Sequence, residues 1–414
     1  MRVFWRCFFL VLVLHTVSSS CQALTLSEAL DAAEQHPSLK LHGLNIVARE
    51  LEVVDSSAKG PGSLEITTEN FGGKSGFDDL ETAIEFAVPL QNARVVRAKK
   101  ALAEAQVRLS HLEKGATRWL IMSQVSRAFH RALVMNSLVA EAGENIENAQ
   151  KLLDAAKIMH ESGSVAEQEV FQAELVLQQS ELERQTLQGD LEDAKAELVT
   201  AMGLEIIEDF EVVGSISTEL EIPDFETLRG IIASSHPDLA IRENEKTTAL
   251  ARLNLLRAET QPGWSLVAGA KHARENGSND FMIGISAEFP GSRATRGERA
   301  ALKKDAERLE LEKANVLREL TLNLQGELLR FERLQSQAAR LRDQIVPGAM
   351  HMFELALAGY QLGKTDQIVV LQAQKEYLSQ KQSYLQKLDE LYQSAAAIEN
   401  LTGFQRLSTV SESK

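Results

Sequence analysis

The sequence predicts a mainly α fold with a small β part, built from two copies of one structural unit. Two long helical hairpins are indicated, over residues 92–203 and 292–403, because each stretch is rich in Leu, Ala, Glu and Gln and has one break, at Gly163 and at Gly363. Apolar residues in the second stretch return every three or four positions, which is the spacing of helices that pack as coiled coils. Each hairpin follows a segment of alternating apolar and polar residues that ends in proline, which indicates a β-strand.

The composition narrows the possible classes of protein. The chain has 414 residues and a formal net charge of −15. We therefore expect no nucleic-acid partner, because a duplex-binding surface needs a basic stripe. Both cysteines lie in the first 21 residues, so the body of the chain contains neither a disulfide nor a thiolate metal site. No phosphate loop, metal-protease spacing or nucleophile elbow is present, so we predict no enzyme, no cofactor and no metal site.

Residues 1–23 have the features of a secretory signal peptide. Arg2 and Arg6 precede a short apolar segment, and small or polar residues follow it. The sequence Cys21-Gln22-Ala23 is an acceptable cleavage site, which places the predicted mature start at Leu24. Cys21 is alternatively a lipidated cysteine, although the residues before it lack the leucine that is usual three positions ahead.

After the signal, residues 26–56 are patterned as a helix with Pro37 inside it. Two β-hairpins are predicted, at residues 64–89 and 264–290, each bounded by Gly and Pro. In each hairpin one face of the second arm is apolar and the other is small or polar. The apolar faces hold Leu80, Ile84 and Phe86 in the first hairpin, and Phe281, Ile283, Ile285 and Phe289 in the second.

The same order of segments returns about 200 residues later, which indicates an internal duplication. His36-Pro37 recurs as His236-Pro237, and Gly163 recurs as Gly363. The predicted organisation, in chain order, is the signal peptide, a first repeat (24–204), a linker (205–224), a second repeat (225–404) and a flexible tail (405–414).

The two hairpins need a partner, because an isolated two-stranded hairpin is marginally stable at best. Strands of about ten residues with one apolar face are the signature of a transmembrane barrel, whose apolar side chains face lipid. Four strands cannot close a barrel, so we expect a homotrimer in which twelve strands form the wall. The expected fold is a trimeric 12-helix α-barrel that continues a 12-stranded transmembrane β-barrel. The alternative is that the hairpins pack on the helices as a small soluble cap.

With these features in hand, the chain resembles the TolC-like outer-membrane efflux proteins. Within that family it is most similar to the branch that serves heavy-metal resistance-nodulation-division pumps. The resemblance covers nearly the whole mature chain. Three motifs carry it: LTLSEAL at residues 24–30 followed by His36-Pro37, GSVA at residues 163–166 followed by Glu169, and YQLGKT at residues 360–365.

The resemblance implies a location in the bacterial outer membrane with a large periplasmic portion. It also implies the partners: two sister subunits, outer-membrane lipid, a periplasmic adaptor (membrane fusion protein) and an inner-membrane resistance-nodulation-division transporter. In such systems the tips of the helical hairpins touch the adaptor. By position the adaptor-contacting residues here are Gly163, Ser164, Val165, Gly363, Lys364 and Thr365.

One departure from the family pattern concerns the periplasmic mouth of the pore. Prototype members have acidic rings just past the second tip, and the matching positions here hold Val369 and Gln372. Glu169 and Asp366, with Gln372, are therefore the candidate ring residues, because three carboxylates around a pore favour cations. The alternative for Glu169 and Asp366 is that they only begin a helix, where a negative charge suits the dipole.

The leading functional prediction is a passive exit duct of a tripartite efflux system, which conducts metal ions or drugs. A duct for type I protein secretion is an alternative of the same class. A periplasmic coiled-coil adaptor or scaffold is an alternative of another class. Adaptors are rich in short strands around a single helical hairpin, whereas this chain has two matched hairpins and only four predicted strands.

Overall fold

The computed structural model describes eight stretches of the chain: residues 22–58, 60–70, 76–78, 80–205, 210–214, 216–275, 277–289 and 295–403. The predicted signal up to and including Cys21 lies outside the described residues, and so does the tail 405–414. The structure therefore tests neither the tail nor the signal up to Cys21, whereas Gln22 and Ala23, which the signal prediction also includes, lie in a strand.

Two pairs of long antiparallel helices form most of the molecule. In the first repeat, α3 (Ala93–Glu161) has 69 residues and returns through α4 (Glu167–Met202). The breaks in the helical runs fall at the glycine turns that the pattern indicates. The other helices are α1 (Leu26–Ala33), α2 (Pro37–Asp55), α5 (Phe225–Ser235), α6 (Pro237–Glu259), α7 (Arg296–Arg340), α8 (Val346–Gln361) and α9 (Gln367–Thr402).

The prediction of one helix over residues 26–56 is wrong, because the chain forms two helices there. Pro37 lacks a backbone N–H and is the first residue of α2 rather than an interior residue of a longer helix. His36 caps α2 through its Nδ1, which accepts from the backbone N–H of Ser38 at 3.1 Å. The second repeat has the same arrangement, in which His236 caps α6 and accepts from Asp238 at 3.2 Å.

The second long helical run contains a feature that the periodicity does not indicate. A π-helical turn, Leu341–Ile345, joins α7 to α8, and Pro347 follows it. The proline ring clashes with the carbonyl of the residue four positions earlier in a regular α-helix, and one widened turn relieves that clash. α3 of the first repeat has no such turn.

The two hairpins join into one antiparallel sheet. Its strand order is β2-β3-β5-β6, and the β3–β5 pair, with Phe86 opposite Ala268, connects the two repeats. Among the described residues, β2 and β6 have no strand on their outer edges. The strands are β2 (Ser63–Glu69), β3 (Glu81–Leu90), β5 (Gly263–Ala273) and β6 (Ser278–Glu288).

The predicted linker 205–224 is also partly regular structure. Its strand β4 (Phe210–Val212) pairs in parallel with β1 (Gln22–Leu24), so the start of the described chain is fixed beside the junction of the repeats. The segment beyond β4 crosses the helices. Ser217 there exchanges two hydrogen bonds with the Tyr392 hydroxyl, at 2.9 and 3.1 Å.

Three apolar cores hold the helices together. One lies between α1, α3 and α4, and a second between α5, α7 and α9. The third lies near the hairpin tips and joins α3 and α4 to α8 and α9, through residues such as Leu152 and Phe353. Within the described ranges, no helix is long and apolar enough to cross a membrane.

Candidate functional site

The four-stranded sheet has one apolar face and one polar face. Residues directly opposite in antiparallel strands share a face, and Leu64, Phe86, Ala268 and Ile283 occupy adjacent strands on the same one. Large side chains of this face lie open in the single chain: Phe281 is 89% exposed, and Ile283 is 79% exposed. A contiguous group of exposed apolar side chains such as this one marks a surface that contacts another protein, a ligand or a membrane.

The structure brings the seven predicted lipid-facing residues to this one sheet. Ile84 and Phe86 lie in β3, and the other five lie in β6 or directly beside β3 or β6. Leu80 is the residue before β3 and is half-buried, while Phe289 is the residue after β6 and is exposed. The remaining three predicted lipid-facing residues, which lie in β6, are Phe281, Ile283 and Ile285.

The opposite face of the sheet consists of small and polar residues, and most of its charged residues are acidic. Glu65, Glu81 and Glu85 alternate with the apolar residues of β2 and β3. Lys271 of β5 forms an ion pair with Glu81 across the strand pair. This face lines a hollow of about 310 Å³. Water and ions would be accommodated on this side, whereas the other side excludes them.

The two hairpin tips have the same backbone geometry. Gly163 and Gly363 have φ of 75° and 67°, the left-handed region that favours glycine at a helix end. Each N–H donates to a carbonyl three residues earlier, His160 and Tyr360 respectively, at 2.8 Å. The six predicted tip residues are adjacent in space within each turn, and all are exposed except Val165 and Thr365, which are half-buried.

Contacts that the sequence does not indicate join the two tips. The Tyr360 hydroxyl donates to Oε2 of Glu169 at 3.2 Å, and the Gln367 side-chain amide donates to the Glu169 carbonyl at 2.8 Å. Burial of the Tyr360 ring raises the pKa of its hydroxyl to about 12, and the neighbouring Glu169 adds to that shift. Glu169 is thus held between the tips.

The other two candidate ring residues differ from Glu169. Asp366 is exposed and is the N-cap residue of α9, without a side-chain capping hydrogen bond. Gln372 is exposed on the first turns of α9. The described residues contain no group of three His, Cys, Asp or Glu side chains that could hold a metal ion.

Five residues of α9, spaced seven positions apart, form a stripe that faces the first helical pair. The stripe is polar in the half near the tip and apolar in the other half. Gln367, Gln374 and Lys381 occupy its tip half, and Leu388 and Ala395 its other half. Gln374 is only 3% exposed, and neither polar atom of its amide has a hydrogen-bond partner among the described residues. The seven-residue spacing of these side chains is visible in the sequence, but the stripe was not among the predicted features.

Lys381 of that stripe also belongs to an ion-pair cluster between α3 and α9. Lys381 approaches Glu144 at 2.8 Å and Glu141 at 3.4 Å. Burial raises the pKa of the Glu141 carboxyl to about 7 and outweighs the opposing effect of Lys381. The Glu141 carboxyl therefore changes its protonation state near neutral pH.

Comparison with known proteins identifies the kind of molecule. The profile of the family described as "Outer membrane efflux protein" matches residues 57–204 and 228–404. The cobalt-zinc-cadmium resistance protein CzcC of Cupriavidus metallidurans is 24% identical over 313 residues, which cover 76% of this chain and 73% of CzcC.

Solved structures show the same fold. The outer-membrane channel OprN superimposes with a TM-score of 0.74 at 17% identity, over 91% of this chain and 89% of OprN. CusC gives 0.73 at 16% identity, over 91% of both chains. The CmeC outer membrane channel of Campylobacter jejuni gives 0.73 at 14% identity, over 94% of this chain and 87% of CmeC.

Proposed function

Because the chain belongs to the outer membrane efflux protein family, we propose that it is the exit duct of a tripartite efflux system. It is a channel of the bacterial outer membrane with a periplasmic portion, and it is not an enzyme. In the proposed system an inner-membrane resistance-nodulation-division transporter supplies the energy, and a periplasmic adaptor connects the transporter to the duct.

The observation that carries this proposal is the two-faced sheet with two free edges. A sheet with unpaired edges and one apolar face cannot lie in lipid, because each unpaired backbone group in hydrocarbon is costly. Three copies would supply twelve strands and pair every edge. The apolar face, with Phe86 and Ile285, would then contact lipid, and the acidic face would line the pore.

The helices extend the same duct into the periplasm. α3 has 69 residues, which at roughly 1.5 Å per residue gives about 100 Å. Each chain supplies two long helical pairs, and three chains would supply the twelve helices of an α-barrel. The tips, Gly163–Val165 and Gly363–Thr365, then lie at the far end from the sheet, where we place the adaptor.

For the cargo we propose metal ions, supported by the similarity to a cobalt-zinc-cadmium resistance protein. The duct would conduct them without holding them, which fits the absence of a ligand cluster among the described residues. At the periplasmic mouth, exposed Asp366 would form a ring of three carboxylates that favours cations. Glu169 would fix the position of the tips, and Gln372 would lie nearly two turns further along α9 than Asp366.

A deletion strain tests the whole proposal. We expect it to become sensitive to cobalt, zinc or cadmium salts, and the wild-type gene to restore resistance. The protein should need detergent for extraction and should run as a heat-sensitive trimer. Recovery as a soluble periplasmic monomer would refute the duct and favour a scaffold.

The tips need a separate variant. Lys364→Trp places a bulky side chain on the second tip without changing Gly363, whose positive φ a side chain would strain. We expect export to be lost while the trimer still assembles. Lys375→Trp, an exposed position farther along α9, is the matched control and should export normally. Unchanged export by Lys364→Trp would show that the adaptor contacts another part of the duct.

A further inference from the structure

A band of basic side chains lies where the sheet meets the long helices. We call it the basic collar. β3 ends at Leu90 and α3 begins at Ala93, while β6 ends at Glu288 and α7 begins at Arg296, so both helices begin at the same end of the sheet. The collar comprises Arg94, Arg97, Lys99 and Lys100 of α3, and Arg296, Arg299, Lys303 and Lys304 of α7.

The collar contrasts with the acidic charge of the whole chain. The first eight residues of α3 contain four cations and no acid, although the chain carries a net charge of −15. The matching part of α7 has one acid, Glu298. Acids on the elements that end near this end of the sheet are Asp55 of α2, Glu259 of α6 and Glu288 of β6. Both repeats carry such a group of cations at the start of a long helix, so the basic collar is part of the duplicated architecture.

Few of these cations are neutralised within the protein. In the part of the chain that the structure describes, Lys100 reaches Glu104 at 3.8 Å and Lys304 reaches Glu307 at 2.6 Å. The other six form no ion pair there, and Arg299 instead donates to the Thr260 hydroxyl at 2.7 Å. All eight are exposed except Arg299, which is half-buried.

The location is also unfavourable for cations unless an anion is present. A helix N-terminus carries a partial positive charge, so Arg94 in the first turn of α3 opposes the helix dipole, and Arg97 follows it at the start of the second turn. The first turn of α4, at the tip, instead holds Glu167 and Glu169. The collar begins directly below the apolar face, whose last large side chains at this end are Leu90, Trp264 and Phe289, which are 52%, 50% and 73% exposed.

We propose that the basic collar binds the anionic headgroups of phospholipids in the membrane leaflet that faces the periplasm. This inference rests on the proposed placement of the sheet in the membrane. Phosphate groups of that leaflet lie immediately outside the hydrocarbon, at the depth where the apolar face ends and the collar begins. Cations at that depth are attracted to negatively charged lipid, each by about fivefold in affinity. The collar thereby fixes the depth of the duct.

Lipid binding to the full-length, detergent-solubilised protein tests the proposal. Short-chain phosphatidylglycerol and phosphatidylcholine are titrated separately, and bound lipid is counted by native mass spectrometry. We expect the wild type to hold the anionic lipid at least tenfold more tightly. The variant Arg94→Gln, Arg97→Gln, Lys99→Gln, Lys100→Gln should lose that preference, whereas Arg94→Lys, Arg97→Lys should keep it.

A matched control removes the same charge far from the sheet. Lys151→Gln, Lys157→Gln, Arg184→Gln, Lys375→Gln neutralises four exposed cations of the helical pairs and should leave the lipid preference intact. Size-exclusion chromatography verifies that each variant assembles as the wild type does. If the glutamine variant of the collar does not assemble, the comparison of the two lipids on the wild-type protein still tests the proposal.

Three results would overturn the proposal. They are equal binding of the two lipids, an unchanged preference in the neutralised collar, and displacement of phosphatidylglycerol by an equal concentration of inorganic phosphate, which would indicate a free-anion site. The assay needs no pump, adaptor or cargo, so failure of the export proposal leaves it unaffected. A wild type that holds neither lipid would overturn the membrane placement of the sheet together with the collar.

Discussion

The Tyr360 hydroxyl donates a hydrogen bond to Oε2 of Glu169, 3.2 Å away, and so joins the tip of the second helical pair to that of the first. The two residues are 191 positions apart in the chain. The Gln367 amide adds a second bond, to the Glu169 carbonyl. These two hydrogen bonds act together with the apolar core near the tips to hold the two helical pairs in position.

Tyr360→Phe removes the hydroxyl and keeps the ring in its core. A hydrogen bond to a charged group contributes about 1.5–3 kcal/mol, and partial exposure of Glu169 reduces this to about 1 kcal/mol. We expect faster amide exchange at both tips, measured by hydrogen–deuterium exchange with mass spectrometry. Tyr384→Phe, on the same helical pair, is the control and should not change exchange at the tips. Protection that stays at the wild-type level in Tyr360→Phe would show that the bond does not hold the tips.

Gln374→Leu should stabilise the protein. The amide is buried and both its polar atoms lack partners, so its desolvation is uncompensated. An apolar residue of similar size would raise the free energy of unfolding by about 1 kcal/mol. Gln386→Leu makes the same chemical change at an exposed position of α9 and should have little effect. Thermal denaturation of the purified proteins measures the difference, and a lower melting temperature for Gln374→Leu contradicts the prediction.

Glu141→Gln should change how stability depends on pH. Burial raises the pKa of Glu141 from 4.5 to about 7, so the folded protein binds this proton more tightly than the unfolded chain does. Its stabilising effect is complete below pH 4.5 and is lost as the pH rises through 7. The variant should therefore be more stable than the wild type at pH 8, by about 1–2 kcal/mol after allowance for solvent screening, and the gain should shrink by pH 5.

Melting curves at pH 5 and pH 8 measure this effect. Glu144→Gln is the control, because its carboxylate binds the same Lys381 but is 65% exposed. His130 is buried, and burial lowers its pKa to about 4, so wild type and variants alike lose stability in acid. The difference between variant and wild type removes that shared contribution. An equal gain at both pH values would exclude Glu141 as the titrating group.

The start of the mature chain should lie at or before Gln22. Strand β1 pairs with β4 over Gln22–Leu24, and the Val213 N–H extends the contact by donating to the Leu24 carbonyl at 3.0 Å. The predicted cleavage after Ala23 would remove two of the three residues of β1. Intact-mass measurement of the purified protein decides between the sites. Added acyl mass would indicate a lipidated Cys21, and a mature start at Leu24 would contradict the role of β1.

Local patterns in the sequence were sufficient for the elements but not for their contacts. Period-3.6 patterning and two glycines located the long helices, and period-2 patterning located the strands, because both depend on neighbouring residues. The break at Pro37 was missed, because the residues on both sides fit a helix. The π turn before Pro347 was missed for a similar reason, since a widened turn keeps the helical pattern.

By itself the sequence determined the duplication, the two long helical pairs, the two-faced strands and the family. Only the tertiary structure decided that β3 pairs with β5, that β1 pairs with β4, and that Tyr360 meets Glu169. These contacts join residues that are far apart in the chain. No local periodicity encodes them, because they depend on how separate elements meet once their apolar faces are buried.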